Sequence, residues 1–281
     1  MIQKNCVLTR EGRKPILYDI FSVEGNEPKP LLIFSHGYKG FKDWGAWDLV
    51  GKSFVEHGIN FLKFNFSHNG GTIENPIDFP DLESFANNNY SLELEDLERV
   101  LDHVSSIEFR KNVAFTDIIL LGHSRGGGIS IIKASEDARV KKVITWASVS
   151  DFRPRFLENT PAFKEWKETG ITYVENSRTK QQLPHYFQFY EDFIKNATRL
   201  SIKRATETLD KPLLIIHGTA DSTVSIIEAE SLNKWSGAQG ELYLLMEADH
   251  VFGAKHPWES ALLPEDLEKA VKKTIEFVEA V

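Results

Sequence analysis

The chain has 281 residues, long enough to bury a large core, and its length suits one α/β body with an insertion better than two independent domains. Its formal net charge of -8 argues against nucleic acid or an anionic membrane surface as the main partner, and Cys6, the only cysteine, excludes an intramolecular disulfide and a thiolate metal cluster. Met1 to Arg13 carries no apolar run of signal-peptide length and no stretch approaches the ~20 apolar residues of a membrane span, so a cytoplasmic location is expected.

Short strand-like runs alternate with helical patterns, the mark of a mostly parallel sheet covered by helices on both faces. Val7 to Thr9 and Ile16 to Val23 predict an opening hairpin antiparallel to the rest. Leu31 to Ser35 reads as a buried strand running into the loop His36-Gly37-Tyr38-Lys39-Gly40, with a helix over Trp47 to Glu56 and a strand over Asn60 to Asn65. Leu94, Leu97, Leu101 and Val104 recur at helical spacing within Tyr90 to Val104, where Ser91 is a candidate cap. Ile118 to Leu121 and Lys142 to Trp146 are strands on either side of a helix. The alternation then breaks: Asp151 to Asp210 is rich in aromatic and charged residues without a buried-strand run, and is read as an inserted cap with a small hairpin at Gly170 to Asn176 and a helix over Phe189 to Ala197. It resumes with a strand at Leu213 to His217, a helix at Ser225 to Trp235, a strand at Leu242 to Met246 and a closing amphipathic helix at Pro264 to Glu279. The expected division is 1–152 and 211–281 for the core and 153–210 for the cap.

Gly122-His123-Ser124-Arg125-Gly126 follows the Ile118 to Leu121 run directly, as a strand driving into a sharp turn that presents a serine. Glycine two before and two after relieves crowding at such a turn. A serine hydroxyl needs a neighbouring base, and the base a third group to fix its tautomer, so a histidine and a carboxylate are sought at later strand ends. Asp221, in the loop after Leu213 to His217, is the favoured acid, and His250, just past Leu242 to Met246, the favoured base. Asp249 is a rival acid, but side chains adjacent in sequence generally diverge. His123 and His36 read as structural, His217 as a strand-end or core histidine, and His68 and His185 as residues able to line a pocket; His57, His103 and His256 lack a constellation. Paired metal-ligand spacing is absent, so neither a metal nor another cofactor is expected.

Acyl transfer also needs fixed donors for the oxygen that becomes negative, each contributing about 3 kcal/mol. The backbone amide of Arg125, at the start of the helix after the serine, and that of Tyr38, in the loop after Leu31 to Ser35, are the candidates.

Taken together, the His-Gly-Tyr loop, the Gly-His-Ser-Arg-Gly turn, the Gly-Thr-Ala-Asp loop and the Ala-Asp-His segment resemble the α/β-hydrolase superfamily over nearly the whole chain. Within it the chain is most similar to serine esterases with a cap after the sixth strand, including the cinnamoyl (feruloyl) esterase type, and more loosely to dienelactone hydrolase-like proteins. The resemblance implies an α/β-hydrolase fold with an eight-stranded sheet, a triad of Ser124, Asp221 and His250, and oxyanion donors at Tyr38 and Arg125. Dienelactone hydrolases carry cysteine where this chain has Ser124, and relatives often have glutamine or methionine where it has Arg125. The function expected is cofactor-free hydrolysis of small-molecule carboxylic esters, aromatic (hydroxycinnamate-like) or short aliphatic. A peptidase or amidase with the same triad and a non-catalytic binding protein on the same fold are the alternatives.

Overall fold

Alternation of buried apolar side chains along the central strands fills both faces of one sheet in the computed structural model, which describes residues 1–280. In chain order, Ile2–Leu8 (β1), Ile16–Phe21 (β2) and Lys29–Ser35 (β3) precede Trp47–Glu56 (α1) and Asn60–Phe64 (β4). Leu82–Ala86 (α2), Tyr90–Ser105 (α3) and Ile107–Asn112 (α4) lead to Phe115–His123 (β5), Arg125–Glu136 (α5) and Val140–Trp146 (β6). Pro161–Thr169 (α6), Ile171–Glu175 (β7), Gln182–Tyr186 (β8), Gln188–Lys195 (α7) and Ile202–Glu207 (α8) follow. The chain closes with Leu213–Gly218 (β9), Ile226–Ser236 (α9), Gly240–Leu245 (β10) and Glu265–Glu279 (α10).

The sheet has eight strands in the order β1-β2-β4-β3-β5-β6-β9-β10, and every pairing from β4 to β10 is parallel. Because β2 is antiparallel to both β1 and β4, it alone runs against the others; β1 points the same way as the parallel strands, which corrects the expectation for the opening hairpin. Leu31, Ile33, Leu120 and Ile215 face one core with α3, α5 and α9, while Leu32, Phe34, Leu121 and Ile216 face a second core with α1 and α10. This two-residue period is what a strand covered on both sides requires.

Helix ends follow local chemistry. Asn89, not Ser91, caps α3, its side chain accepting from the Leu92 amide at 2.9 Å. Ser91 instead donates to Asp192 Oδ2 at 2.9 Å, tying α3 to α7. The hairpin between β6 and β9 is wider than expected: Gly170 to Asn176 supplies only β7, and β8 is its partner, with Ile171 opposite Tyr186. Phe156, Trp166, Phe189 and Phe193 from this segment are buried in the same cluster as α3, where Tyr90 stacks on Phe152 at 3.9 Å.

The loop after β3 is fixed by buried charge. Lys63 on β4, fully buried, reaches Asp19 at 3.0 Å and Asp43 and Asp48 at 2.7 Å, and donates to the Lys42 carbonyl at 2.7 Å. Lys42 in turn meets Asp19 at 2.8 Å and Asp43 at 2.7 Å. The three carboxylates lie close enough together to ligate a cation, and the two ammonium groups take that place. Burial opposes the charge on Lys63, but Asp43, Asp19 and Asp48 outweigh it and raise its pKa. Burial likewise opposes ionisation of Asp43, yet the Lys63 charge and hydrogen bonds from Lys42 and Lys63 bring it down to about 2.

Removing one partner strands the others in a dry interior, so Lys63→Met is expected to lower unfolding stability by about 3–5 kcal/mol in urea titrations. Since the pKa of Asp43 is depressed on folding, its contribution is full above the unfolded value of about 4 and is lost as pH falls toward about 2. Stability measured across that window should drop more steeply in the wild type than in Asp43→Asn.

Candidate active site

Ser124 sits at the C-terminal end of β5 with φ 55° and ψ -119°, a conformation strained for any residue with a side chain. Its surroundings over-determine it: the Ser124 amide donates to the Trp146 carbonyl at 2.9 Å, and its carbonyl accepts from Gly127 at 3.0 Å and Val149 at 3.3 Å. A Cβ at Gly122 would lie 2.2 Å from the Gly126 carbonyl oxygen, and one at Gly126 would lie 2.2 Å from the Ser35 carbonyl oxygen. The two glycines therefore serve different contacts. Gly122 lets the helix start fold back over β5, and Gly126 lets it press against the end of β3.

Asp221 lies three residues past β9 and His250 five past β10, at the same sheet edge as Ser124. His250 Nδ1 donates to Asp221 Oδ2 at 2.7 Å, which leaves Nε2 as the imidazole's acceptor. Asp221 Oδ1 accepts from the amides of Thr223 and Val224 at 2.8 and 2.9 Å. Burial opposes its charge, but hydrogen bonds from His217, His250 and the Val224 amide prevail and hold its carboxyl well below the usual carboxylate range. Asp249 is turned away, accepting from the amides of Val251 and Gly253 at 3.0 and 2.8 Å. Ser124 and His250 line the same two cavities, and no hydrogen bond joins them among the described residues.

Two further histidines support this arrangement. His123 Nε2 donates to the His250 carbonyl at 2.9 Å, and burial, with the nearby His250 charge, pushes its pKa down to about 3. His217 donates to the Val224 carbonyl at 2.9 Å and stands 3.4 Å from Asp221 Oδ2, so the strand-end histidine braces the acid loop. His36 is fully satisfied as a neutral ring, donating from Nδ1 to the Gly37 carbonyl at 2.9 Å and accepting at Nε2 from the Phe66 amide at 3.3 Å. Burial lowers its pKa to about 4.

Arg125 begins α5, so its amide has no acceptor within the helix, and the Tyr38 amide makes no hydrogen bond among the described residues. Both residues border a cavity of about 630 Å³ roofed by the segment between β6 and β9. The Arg125 side chain bonds Glu93 Oε1 at 2.9 Å, and its guanidinium lies 4.5 Å from the Tyr38 ring centre and 5.3 Å from that of Tyr90. The Tyr38 hydroxyl bonds His185 Nε2 at 2.7 Å across 147 residues, and burial pushes the His185 pKa down to about 3. Glu93 and the Tyr38–His185 contact were not foreseeable from spacing, since their partners are distant in the chain. His185 does line the larger cavity; His68 lines neither cavity, hydrogen-bonding Ser67 Oγ at 2.8 Å, while His256 lines the smaller one of about 500 Å³.

No protein-family profile and no curated protein sequence matches the chain. Solved structures do. Est1E from Butyrivibrio proteoclasticus superposes with a TM-score of 0.72 at 16% identity, covering 98% of this chain and 97% of its own, and has also been solved with ferulic acid bound. A soluble variant of monoglyceride lipase from Saccharomyces cerevisiae gives 0.71 at 17% identity, with 99% and 96% covered. The mouse α/β hydrolase domain-containing protein 10 gives 0.68 at 17% identity, with 98% of both chains covered. At such identities the likeness is one of fold, and strand order, helix placement and superposition agree: this chain has the α/β-hydrolase fold.

Proposed function

We propose that the protein is a cofactor-independent serine hydrolase of carboxylic esters, in which Ser124 is the nucleophile, His250 the base and Asp221 the orienting acid. The observation that carries this reading is the 2.7 Å bond from His250 Nδ1 to Asp221, which fixes the imidazole with Nε2 free, at the edge where Ser124 is held in its strained turn. In the first step Ser124 Oγ attacks the ester carbonyl carbon while His250 Nε2 takes the hydroxyl proton. The carbonyl oxygen becomes negative and is met by the amides of Tyr38 and Arg125. Collapse of this intermediate expels the alcohol, which receives the proton from His250 and leaves an acyl-enzyme. Water then attacks through the same base and frees the acid.

The segment 153–210 acts as a cap in this reading, because it supplies Phe156, Phe163, Trp166 and Phe189 to the larger cavity. Ring faces give contact area at small entropic cost, which supports an apolar or aromatic group there. Est1E, solved with ferulic acid bound, makes hydroxycinnamate esters the first compounds to try.

Ser124→Ala is expected to lower kcat on p-nitrophenyl butyrate by at least roughly a thousandfold while keeping the fold by circular dichroism. Undiminished turnover would remove Ser124 from the mechanism. The acid limb of log kcat/KM against pH should have a slope of one. The mechanism needs one imidazole, that of His250, in its neutral form, while Asp221 is held ionised and His36, His123 and His185, lowered to about 4, 3 and 3, are neutral across the assay range and add no further slope. A slope of two, or a flat profile, would count against the assignment.

A further inference from the structure

The whole chain is acidic, with 41 Asp and Glu against 33 Lys and Arg, but the walls around Ser124 are not. Among the described residues, neither of the two cavities that meet there is lined by an aspartate or glutamate, whereas Lys39, Arg125, Arg155, Arg178 and Lys255 all line one or both. Three of these cations are balanced from outside the cavities: Arg125 by Glu93, Arg155 by Glu228 and Arg178 by Asp78. Lys39 and Lys255 have no carboxylate partner among the described residues.

Lys39 is the more telling. It belongs to both cavities, as only Tyr38, Ser124 and His250 also do among the described residues. It occupies the third position of the turn closed by the Gly40 amide on the Gly37 carbonyl at 3.0 Å, with φ 56°, where glycine or asparagine would be less strained. It is partly buried, and burial lowers its pKa. Its Nζ lies 5.4 Å from the Tyr38 ring centre, a contact worth about 0.5–1 kcal/mol, and with no carboxylate beside it this partly buried ammonium, held in a costly backbone conformation near Ser124, gains further from an arriving anion. The cavities also differ in character. Both have aromatic walls, Phe41, Trp44 and Trp47 in the smaller and Phe156, Phe163 and Trp166 in the larger, but only the smaller adds Asn176, Arg178 and Lys255 to the Lys39 that they share. His250, which in the proposed mechanism protonates the departing alcohol, borders both cavities, but the chain that follows it, Val251, Ala254, Lys255 and His256, lines only the smaller, and the alcohol half is assigned to that side.

We propose that the substrate is an anionic ester whose alcohol half carries a carboxylate, seated in the smaller cavity against Lys39 and Lys255, with its apolar acyl half among the rings of the larger cavity. This rests on the esterase reading above and deepens it. A cleft lined by one sign of charge concentrates ligands of the other sign and speeds their capture, an effect weakened by salt.

The test compares 4-butyryloxybenzoate with its neutral counterpart 4-butyryloxybenzamide. The ratio of their kcat/KM values should fall about tenfold from wild type to Lys39→Gln, shrink with added salt in the wild type, and be retained in Lys39→Arg, which keeps charge and turn alike. A ratio that is the same in wild type and Lys39→Gln overturns the proposal. So does a charge preference found only when the carboxylate is on the acyl half, read with the 4-nitrophenyl monoester of glutaric acid against its methyl ester. Calorimetric titration of Ser124→Ala with the first two compounds reads recognition without chemistry. Tighter binding of the benzoate there, with no turnover by the wild type, would sustain the anion site and sink the hydrolase; turnover by the wild type with equal binding would do the reverse.

Discussion

The approach of the first turn of α5 to the end of β3 is the constraint on which the rest of the site depends. Only hydrogen stands on the Cα of Gly126, so the helix start packs against the Ser35 carbonyl, and that contact brings the serine turn beside the loop that follows β3. Strain of about 1–3 kcal/mol at a residue such as Ser124 persists only when neighbours enforce it, and here three backbone hydrogen bonds do so. The opposite end of the loop after β3 is held by Lys42 and Lys63 within their cage of carboxylates. Hydroxyl and amide donors are thus placed by backbone and buried charge together, without reliance on mobile side chains.

Electrostatics divide the labour among the histidines. Burial keeps His36, His123 and His185 neutral, so each works as a directional hydrogen-bonding strut. His250 differs in having a carboxylate at its Nδ1 and in bordering both cavities at Ser124. Asp221 is kept charged by two amides and two imidazoles around one carboxyl.

Much of this was legible in the sequence because it is local. Strand runs such as Leu213 to His217 carry their own period, and helix limits such as Trp47 to Glu56 coincide with the structure. Strand ends also place Ser124, Asp221 and His250 at one edge, since parallel strands must point their carboxyl ends together. What escaped was non-local. The direction of β1 depends on where β2 inserts, α3 begins at Tyr90 so that Asn89 caps it and Ser91 lies in its first turn bonded to Asp192, and the second strand of the outer hairpin, Gln182–Tyr186, carries a proline and few alternating apolar residues. Likewise nothing near Arg125 or Tyr38 in sequence announces Glu93 or His185.

The segment from Asp151 to Asp210 departs from one sheet strand and returns to its immediate neighbour, for Val143 on β6 pairs with Leu213 on β9. The strand order around it is the same whatever the excursion contains. Loop-closure entropy grows only slowly with length, so such an excursion is thermodynamically easy to lengthen or recompose. Selection could therefore rewrite the roof of the binding space while inheriting the chemistry beneath it unchanged, and two proteins of this build need share no ligand for their reaction centres to be superposable.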